Sequence, residues 1–229
     1  MFRVEEFFDL SQEPLAHIFE GCENVWDVLH LVKQFSSSMA KPLLLGQVHP
    51  SAVLEGPVYV SEGSIIEPHV YIKGPVYIGK NTVIRQGAYL RENNLISDSC
   101  IVGHATELKG SIMLSNSHAP HFAYVGDSVL GRGVNLGAGT KLANFKLTGD
   151  EVQVLFEGQK IPTGLRKFGA ILGDGVSIGC NAVTAPGTVI GKNTWIYSMV
   201  SLRGYIPAEH LVKYDYQRAE ITAKQPSKR

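Results

Sequence analysis

The sequence predicts an all-β chain wound as a parallel β-helix, and three observations carry that expectation. Positions 48, 54, 60, 66, 72, 78, 84, 90, 96, 102, 108 and 114 read Val, Leu, Val, Ile, Ile, Ile, Ile, Leu, Ile, Val, Leu and Leu, an aliphatic column at a fixed spacing of six. The residue before each is mostly apolar or aromatic too, as at Val53, Tyr59, Ile65, Tyr71, Tyr77, Val83 and Tyr89. Glycines and polar residues fill the intervals, so the pattern has neither a helical period nor the alternation of a long strand. A hexad repeat gives one short strand and one corner, and three hexads close a triangular coil of about 18 residues. Column residues then fill the prism, Ala52, Val58, Val70, Val76 and Ala88 suit its corners, and coils stack at about 4.8 Å through parallel-sheet bonds.

Residues 1–47 lack the hexad. Between Glu23 and Phe35, Val25, Val28, Leu29, Val32 and Phe35 fall at helical spacing, with Trp26 and Leu31 widening the apolar face and Ser36, Ser37 and Ser38 ending it. Phe7, Phe8, Leu10, Leu15, Ile18 and Phe19 make this a folded segment, expected as a small helical cap over the open end of the repeat. The β-helix is assigned to residues 48–206.

Between Leu114 and Asn144 the repeat slips, and His118 and His121 lie at the slip with Pro120 between them. A regular scaffold that breaks step around ionisable residues is a candidate site. The column resumes at Leu130, Leu136 and Leu142, and returns at Leu172, Ile178, Thr184, Ile190, Ile196 and Leu202. Residues 145–168 do not follow it. There Glu151 to Phe156 alternates and Gly158 follows, which predicts a hairpin extruded from the prism. Residues 207–229 are expected to open with a helix at Pro207 and to end in a solvated tail, K-Q-P-S-K-R.

The 21 basic and 21 acidic residues cancel, so net charge draws the chain to neither nucleic acid nor an anionic membrane. Cys22, Cys100 and Cys180 are odd in number and far apart, unlike a disulfide framework or a paired zinc motif. With acids near the N-terminus and no apolar run of the roughly 18–20 residues that span a bilayer, the expectation is a cytoplasmic protein.

The ordered strings R-E-N-N-L, E-L-K-G-S, H-F-A-Y-V-G-D, G-V-N-L-G-A-G-T, A-N and R-K-F-G-A-I-L-G-D span roughly residues 78–202. Together they resemble the acetyltransferase half of the bifunctional glucosamine-1-phosphate acetyltransferase / N-acetylglucosamine-1-phosphate uridyltransferase, and the archaeal-type sugar-phosphate nucleotidyltransferases. The resemblance implies a left-handed β-helix, a homotrimer with sites between neighbouring prisms, acetyl-CoA as acyl donor, an amino sugar phosphate as acceptor, and a place in UDP-N-acetylglucosamine biosynthesis. It implies no metal for acetyl transfer. No glycine-rich nucleotide-binding stretch precedes the repeat, and 47 residues are too few for a uridyltransferase domain, so uridyl transfer is not expected of this chain.

An amine attacks a thioester only after losing a proton, and an imidazole, which ordinarily titrates near about 6.5, is a suitable base. The resemblance places that role on His121. It places acceptor contacts on Arg91, Lys109, Tyr124, Asn135 and Lys167, and donor contacts on Ala138, Asn144, Cys180 and Ser198. Arg91 and Lys109 are one coil apart, so they are expected to stack on one face as a phosphate clamp. Cys180 stands where the bifunctional enzyme has serine, and Phe145 where it has tyrosine. Two other readings are a non-catalytic trimeric scaffold, and a hydratase holding zinc on His104, His118 and His121.

Overall fold

A computed structural model describes residues 2–214. Among these residues the hexads wind into a left-handed parallel β-helix whose walls are three parallel sheets, A and B of nine strands and C of eight. Each coil contributes one short strand to each sheet in the order A, B, C, and pairs only with the coils directly below and above it. In sheet A, for example, Val60 pairs with Ile78 and Ile78 with Ile96, while in sheet C Ile72 pairs with Leu90 and Leu90 with Leu108. The column residues, among them Ile66, Ile72, Ile78, Ile84, Leu90 and Ile96, form one buried core along the axis.

The slip has a different form from the one expected. Ile96 pairs with Met113 rather than Leu114; Met113 enters the prism, and Leu114 turns outward into a second apolar cluster. The corner between Leu108 and Met113 is one residue short, and Gly110 makes its tight turn at φ +58°. A second short corner separates Val125 from Leu130, with Asp127 at φ +44°. The strand His118–His121 lies between these corners and keeps register with Ile101–His104.

The N-terminal segment also sits elsewhere than over the end of the prism. Helices α1 (Val4–Phe7) and α2 (Val28–Met39), with a 3-10 turn at Ala16–Phe19, lie along the outer side of sheet A. Phe2, Phe7, Phe8, Trp26 and Leu29 bury themselves against Leu95, Ile112, Val129, Ile171 and Val189, so sheet A is apolar on both faces, whereas Leu43, Leu44 and Leu45 in the first coil stay exposed. Glu13, 5% exposed, fixes the docking: its carboxylate accepts from the Ser97 hydroxyl and, at 3.0 Å, from the Ser115 backbone N–H.

The excursion holds the expected hairpin, Gln153–Phe156 paired antiparallel with Gln159–Pro162. It joins the same outer cluster through Val152, Val154 and Phe168, and His30 Nε2 meets the Thr163 carbonyl at 3.0 Å.

Two boundaries change. Strands begin at Leu43–Leu44, before residue 48, and Pro207 starts no helix: a corner with Glu209 at φ +61° leads into the strand Leu211–Val212 on Trp195–Ile196. Ile206 and Val212 are one hexad apart and both pack on the core, so the repeat overrides the preference of proline for a helix start. The tail K-Q-P-S-K-R lies outside the described residues. No helix among the described residues is long and apolar enough to cross a membrane.

Candidate functional site

The residues singled out from sequence fall chiefly on the two long edges of sheet C. On the edge shared with sheet B, backbone bonds climb the corner coil by coil: Phe122 N–H to His104 O at 2.9 Å, Gly139 to His121 at 3.0 Å, Asn181 to Ala138 at 2.8 Å and Met199 to Cys180 at 2.9 Å. His104, His121, Ala138, Cys180 and Ser198 therefore form one ladder. The residue after each turns the corner with positive φ, 51° at Ala105, 51° at Phe122, 75° at Gly139, 55° at Asn181 and 66° at Met199. Phe122 and Met199 are bulky for that conformation, and both are exposed. Such strain collects at functional sites.

His121 itself is exposed at the end of its strand. Pro120 shapes the approach to it. In other coils the equivalent residue donates to the next coil, as Arg85 N–H does to Val102 O at 2.7 Å and Gly137 to Ile178 O at 2.6 Å. Proline has no N–H, so this rung toward Leu136 is lost beside the histidine.

Cys180 is exposed on the ladder, whereas Cys100 is buried in the prism, where desolvation pushes its thiol up to about 11. Brief treatment with iodoacetamide at mildly alkaline pH should therefore alkylate Cys180 well ahead of Cys100, which reacts only on unfolding. Peptide mass spectrometry reads the order; equal rates would contradict the assigned coil register.

The opposite edge, shared with sheet A, carries Arg91 and Lys109 immediately after the paired residues Leu90 and Leu108, so the two cations stack as expected. They line a cavity of about 280 Å³ with Tyr124, Asn144, Phe145 and Lys167. Both cations already hold carboxylates. Arg91 Nη1 lies 3.1 Å from Glu107 Oε1, and Lys109 Nζ bonds both oxygens of Asp127 at 2.8 and 2.9 Å. Asn144 Nδ2 donates to the same Asp127, and the Tyr124 hydroxyl donates to Asn144 Oδ1 at 3.3 Å. Burial, reinforced by Glu107 and Asp127, raises the Tyr124 pKa and keeps the phenol a hydrogen-bond donor. A Cβ at Gly126 would stand 2.6 Å from Asn144 Nδ2 and 2.7 Å from the Tyr124 hydroxyl, so the bare backbone makes this arrangement possible.

Four of the five acceptor candidates thus share one cavity. Asn135 does not: it lies on the outer side of sheet B, paired with His118 and Ser177. Asn144, expected with the donor residues, sits instead with the cations. His118 is half-buried, and burial together with Arg85 lowers its pKa. Among the described residues no three metal-binding side chains converge. Glu107 and Asp127 were missed from sequence, although both lie in the strings quoted above; Asp127 stands one position past Gly126, the partner of Lys109 in a coil of 17 residues.

The hexad column, the three-walled prism and the edge clusters define a hexapeptide-repeat β-helix protein. Comparison with known proteins narrows this class. The model of the GMPPB C-terminal domain matches residues 72–158. A protein named bifunctional protein GlmU from Methanococcus aeolicus is 37% identical over 203 residues, 87% of this chain and 47% of that protein. A bifunctional sugar-1-phosphate nucleotidylyltransferase/acetyltransferase from Sulfurisphaera tokodaii is 37% identical over 172 residues, 75% of this chain and 43% of that protein. Among solved structures, the UDP-N-acetylglucosamine acyltransferase from Campylobacter jejuni aligns with TM-score 0.48 and 19% identity, covering 72% of this chain and 70% of that one. The chain is similar to the C-terminal part of the GlmU-type proteins and spans less than half the length of these two relatives.

Proposed function

We propose that the chain is an acetyl-CoA dependent N-acetyltransferase acting on an amino sugar phosphate, glucosamine 1-phosphate or a similar compound, and working as a homotrimer. The observation that carries this reading is the gathering of Arg91, Lys109, Tyr124 and Lys167, from separate coils and the excursion, into one cavity. Lys167 brings a cation that forms no ion pair among the described residues, and Arg91 and Lys109 exchange part of their carboxylate pairing for the acceptor phosphate. His121 accepts a proton from the acceptor amine. The nitrogen lone pair adds to the thioester carbonyl, a C–N bond forms, the C–S bond breaks, and CoA leaves as the thiol after taking up a proton. The donor lies along Ala138, Cys180 and Ser198, above the histidine.

Within one chain the ladder and the cavity occupy opposite edges of sheet C, so base and acceptor meet only across an interface between copies. Sheet A is covered by the N-terminal helices, which leaves sheets B and C for that contact. Their exposed apolar residues, including Ile65, Tyr89 and Trp195, suit it.

The carboxylates on Arg91 and Lys109 favour a second reading, a non-catalytic trimeric scaffold whose clamp is permanently satisfied from within. Incubation with acetyl-CoA and a panel of amino sugar phosphates, with thiol release followed, separates the two. Turnover supports the transferase. A well-formed trimer that neither turns over nor binds CoA in calorimetry selects the scaffold.

A further inference from the structure

Each strand of sheet C joins the two long edges, so its two ends share one height along the prism. Ala138 leads into the strand Lys141–Leu142 and Ala143 leaves it; Cys180 and Ala185 flank Val183–Thr184 in the same way, and Ser198 and Arg203 flank Ser201–Leu202. Ala143, Ala185 and Arg203 line a cavity of about 450 Å³ on the edge shared with sheet A. That cavity therefore spans the three heights that the donor candidates Ala138, Cys180 and Ser198 occupy on the other edge. In the trimer proposed above, copies related by rotation about an axis along the prisms keep those heights. The cavity of one copy then faces the donor ladder of the next.

Lys146 and Lys160, both from the excursion, line this cavity with Arg203, and no acidic side chain does. Among the described residues none of the three forms an ion pair; Lys146 Nζ donates to the Glu151 carbonyl at 2.9 Å. The lower clamp differs, since Glu107 and Asp127 already match Arg91 and Lys109. Beside the three cations lies apolar surface, Phe145, Leu155, Pro186 and the fully exposed Leu147. Uncompensated cations next to such surface suit a molecule with several phosphoryl groups and an apolar arm or ring.

Length decides which phosphates reach them. In an amino sugar 1-phosphate four bonds separate the amine from phosphorus, at most about 5 Å at the ~1.2 Å per bond of an extended chain. With the amine at His121 its phosphate falls near Lys109, whose strand lies one coil step below the strand that His121 enters. In acetyl-CoA thirteen bonds separate sulfur from the nearest phosphorus, about 16 Å on the same scale. Three coil steps lead from the height of His121 to that of Arg203, about 14 Å at the usual strand spacing.

We propose that Lys146, Lys160 and Arg203 of one copy hold the diphosphate and 3′-phosphate of the CoA whose thioester lies beside His121 of the next copy. The assignment rests on the transferase reading and adds to it a seat for the donor's nucleotide, contributed by a different chain from the base. The acceptor phosphate stays with Arg91, Lys109 and Lys167. The pantetheine arm runs down past Ser198, Cys180 and Ala138, and the apolar lining of the cavity packs on the arm and the adenosine.

Calorimetry and kinetics on the full chain test this. CoA, adenosine 3′,5′-bisphosphate and UDP are titrated into the native protein and into Lys160→Ala and Arg203→Ala; both residues are exposed, so the substitutions leave the fold intact. The expected result is that CoA and adenosine 3′,5′-bisphosphate bind, and that each variant loses about tenfold or more in affinity for both. KM for acetyl-CoA should rise by a similar factor while KM for the sugar phosphate stays unchanged. Co-expression of His121→Ala with the Lys160→Ala/Arg203→Ala double variant should restore about a quarter of the sites, because a mixed trimer pairs an intact base on one copy with intact cations on the next. A seat on the same chain as its base would restore none and overturn the proposal. CoA bound equally well by the variants, in a protein that transfers acetyl groups, overturns the seat and leaves the transferase reading standing. UDP bound with the expected sensitivity in place of CoA overturns it as well. Sensitive CoA binding without turnover upholds the seat and removes the transferase reading, whereas absence of both CoA binding and turnover removes the two together.

Discussion

Replacement of His121 with alanine is expected to lower acetyl transfer to the amino sugar acceptor by about 10²- to 10⁴-fold, the range for loss of a positioned general base. The histidine is exposed at a corner whose next residue, Phe122, turns with φ +51°, and the proline before it donates no backbone hydrogen bond to the coil above. Cys180 stands two coil steps above, about 10 Å along the edge, which leaves room for a thioester between them. On the proposed reading the donor lies along Ala138, Cys180 and Ser198 and not on the imidazole, so the loss should appear in kcat with KM for acetyl-CoA little changed. His104→Ala is the informative control. It sits one coil below on the same ladder, but its Nδ1 lies 3.0 Å from the Gln86 carbonyl and its ring packs edge-on against Phe122 at 5.2 Å. A base acting on substrate makes the first substitution damaging and the second nearly silent. Equal effects from both would assign the ladder a packing role and end the catalytic reading of His121.

The prism was legible because one column side chain per hexad must enter it, and nearly all of these are aliphatic, Thr184 being the exception. The N-terminal helix was legible too, through its apolar stripe, but not its docking place. That place was also written in the repeat, in a register the six-residue column hides. The position before the column in every third hexad reads Tyr59, Tyr77, Leu95, then, after the shortened corners, Ile112, Val129, Ile171 and Val189, an apolar row that sheet A presents outward. In its middle coils the matching row of sheet C reads Tyr89, Glu107, Tyr124 and Lys141. A sheet with one polar face stands open; one apolar on both faces needs a cover. Leu114 was misread for Met113 because both are aliphatic, and only the corner length decides which points inward.

The site was legible where a single coil step governs it and obscure where the step changes. Arg91 and Lys109 align because their coil has the regular length. The short corner between Leu108 and Met113 then shortens by one residue the coils from Glu107 to Tyr124 and from His104 to His121. That shift conceals the carboxylates opposite the cations. Asn144 was displaced from its expected group for a related reason: it follows Leu142 out of sheet C onto the cation edge, where Asp127 holds it.

Gly103→Ala is the substitution expected to cost most stability per atom added. Gly103 lies between Val102, whose partner is Ala119, and His104, whose partner is His121, so it faces Pro120 on the next coil. A Cβ built there would overlap the carbonyl oxygen, carbonyl carbon and Cα of Pro120. Those are backbone atoms and cannot rotate away, and the strand above is held in turn by Asn135 against His118. Overpacking ordinarily costs about 1–3 kcal/mol, and a backbone obstacle places this case at about 3 kcal/mol or more. For a chain of this size that corresponds to a fall in Tm of roughly 6–12 °C. Gly133→Ala separates the clash from the loss of glycine freedom, because Gly133 has φ +67° and nothing within 4 Å of its Cβ position. It should cost about 1–2 kcal/mol, the ordinary penalty for a left-handed residue with a side chain. Thermal unfolding of the two variants side by side measures the difference. If Gly103→Ala were as stable as Gly133→Ala, the close approach of the two coils beneath His121 would be wrong, and with it the backbone placement of the histidine.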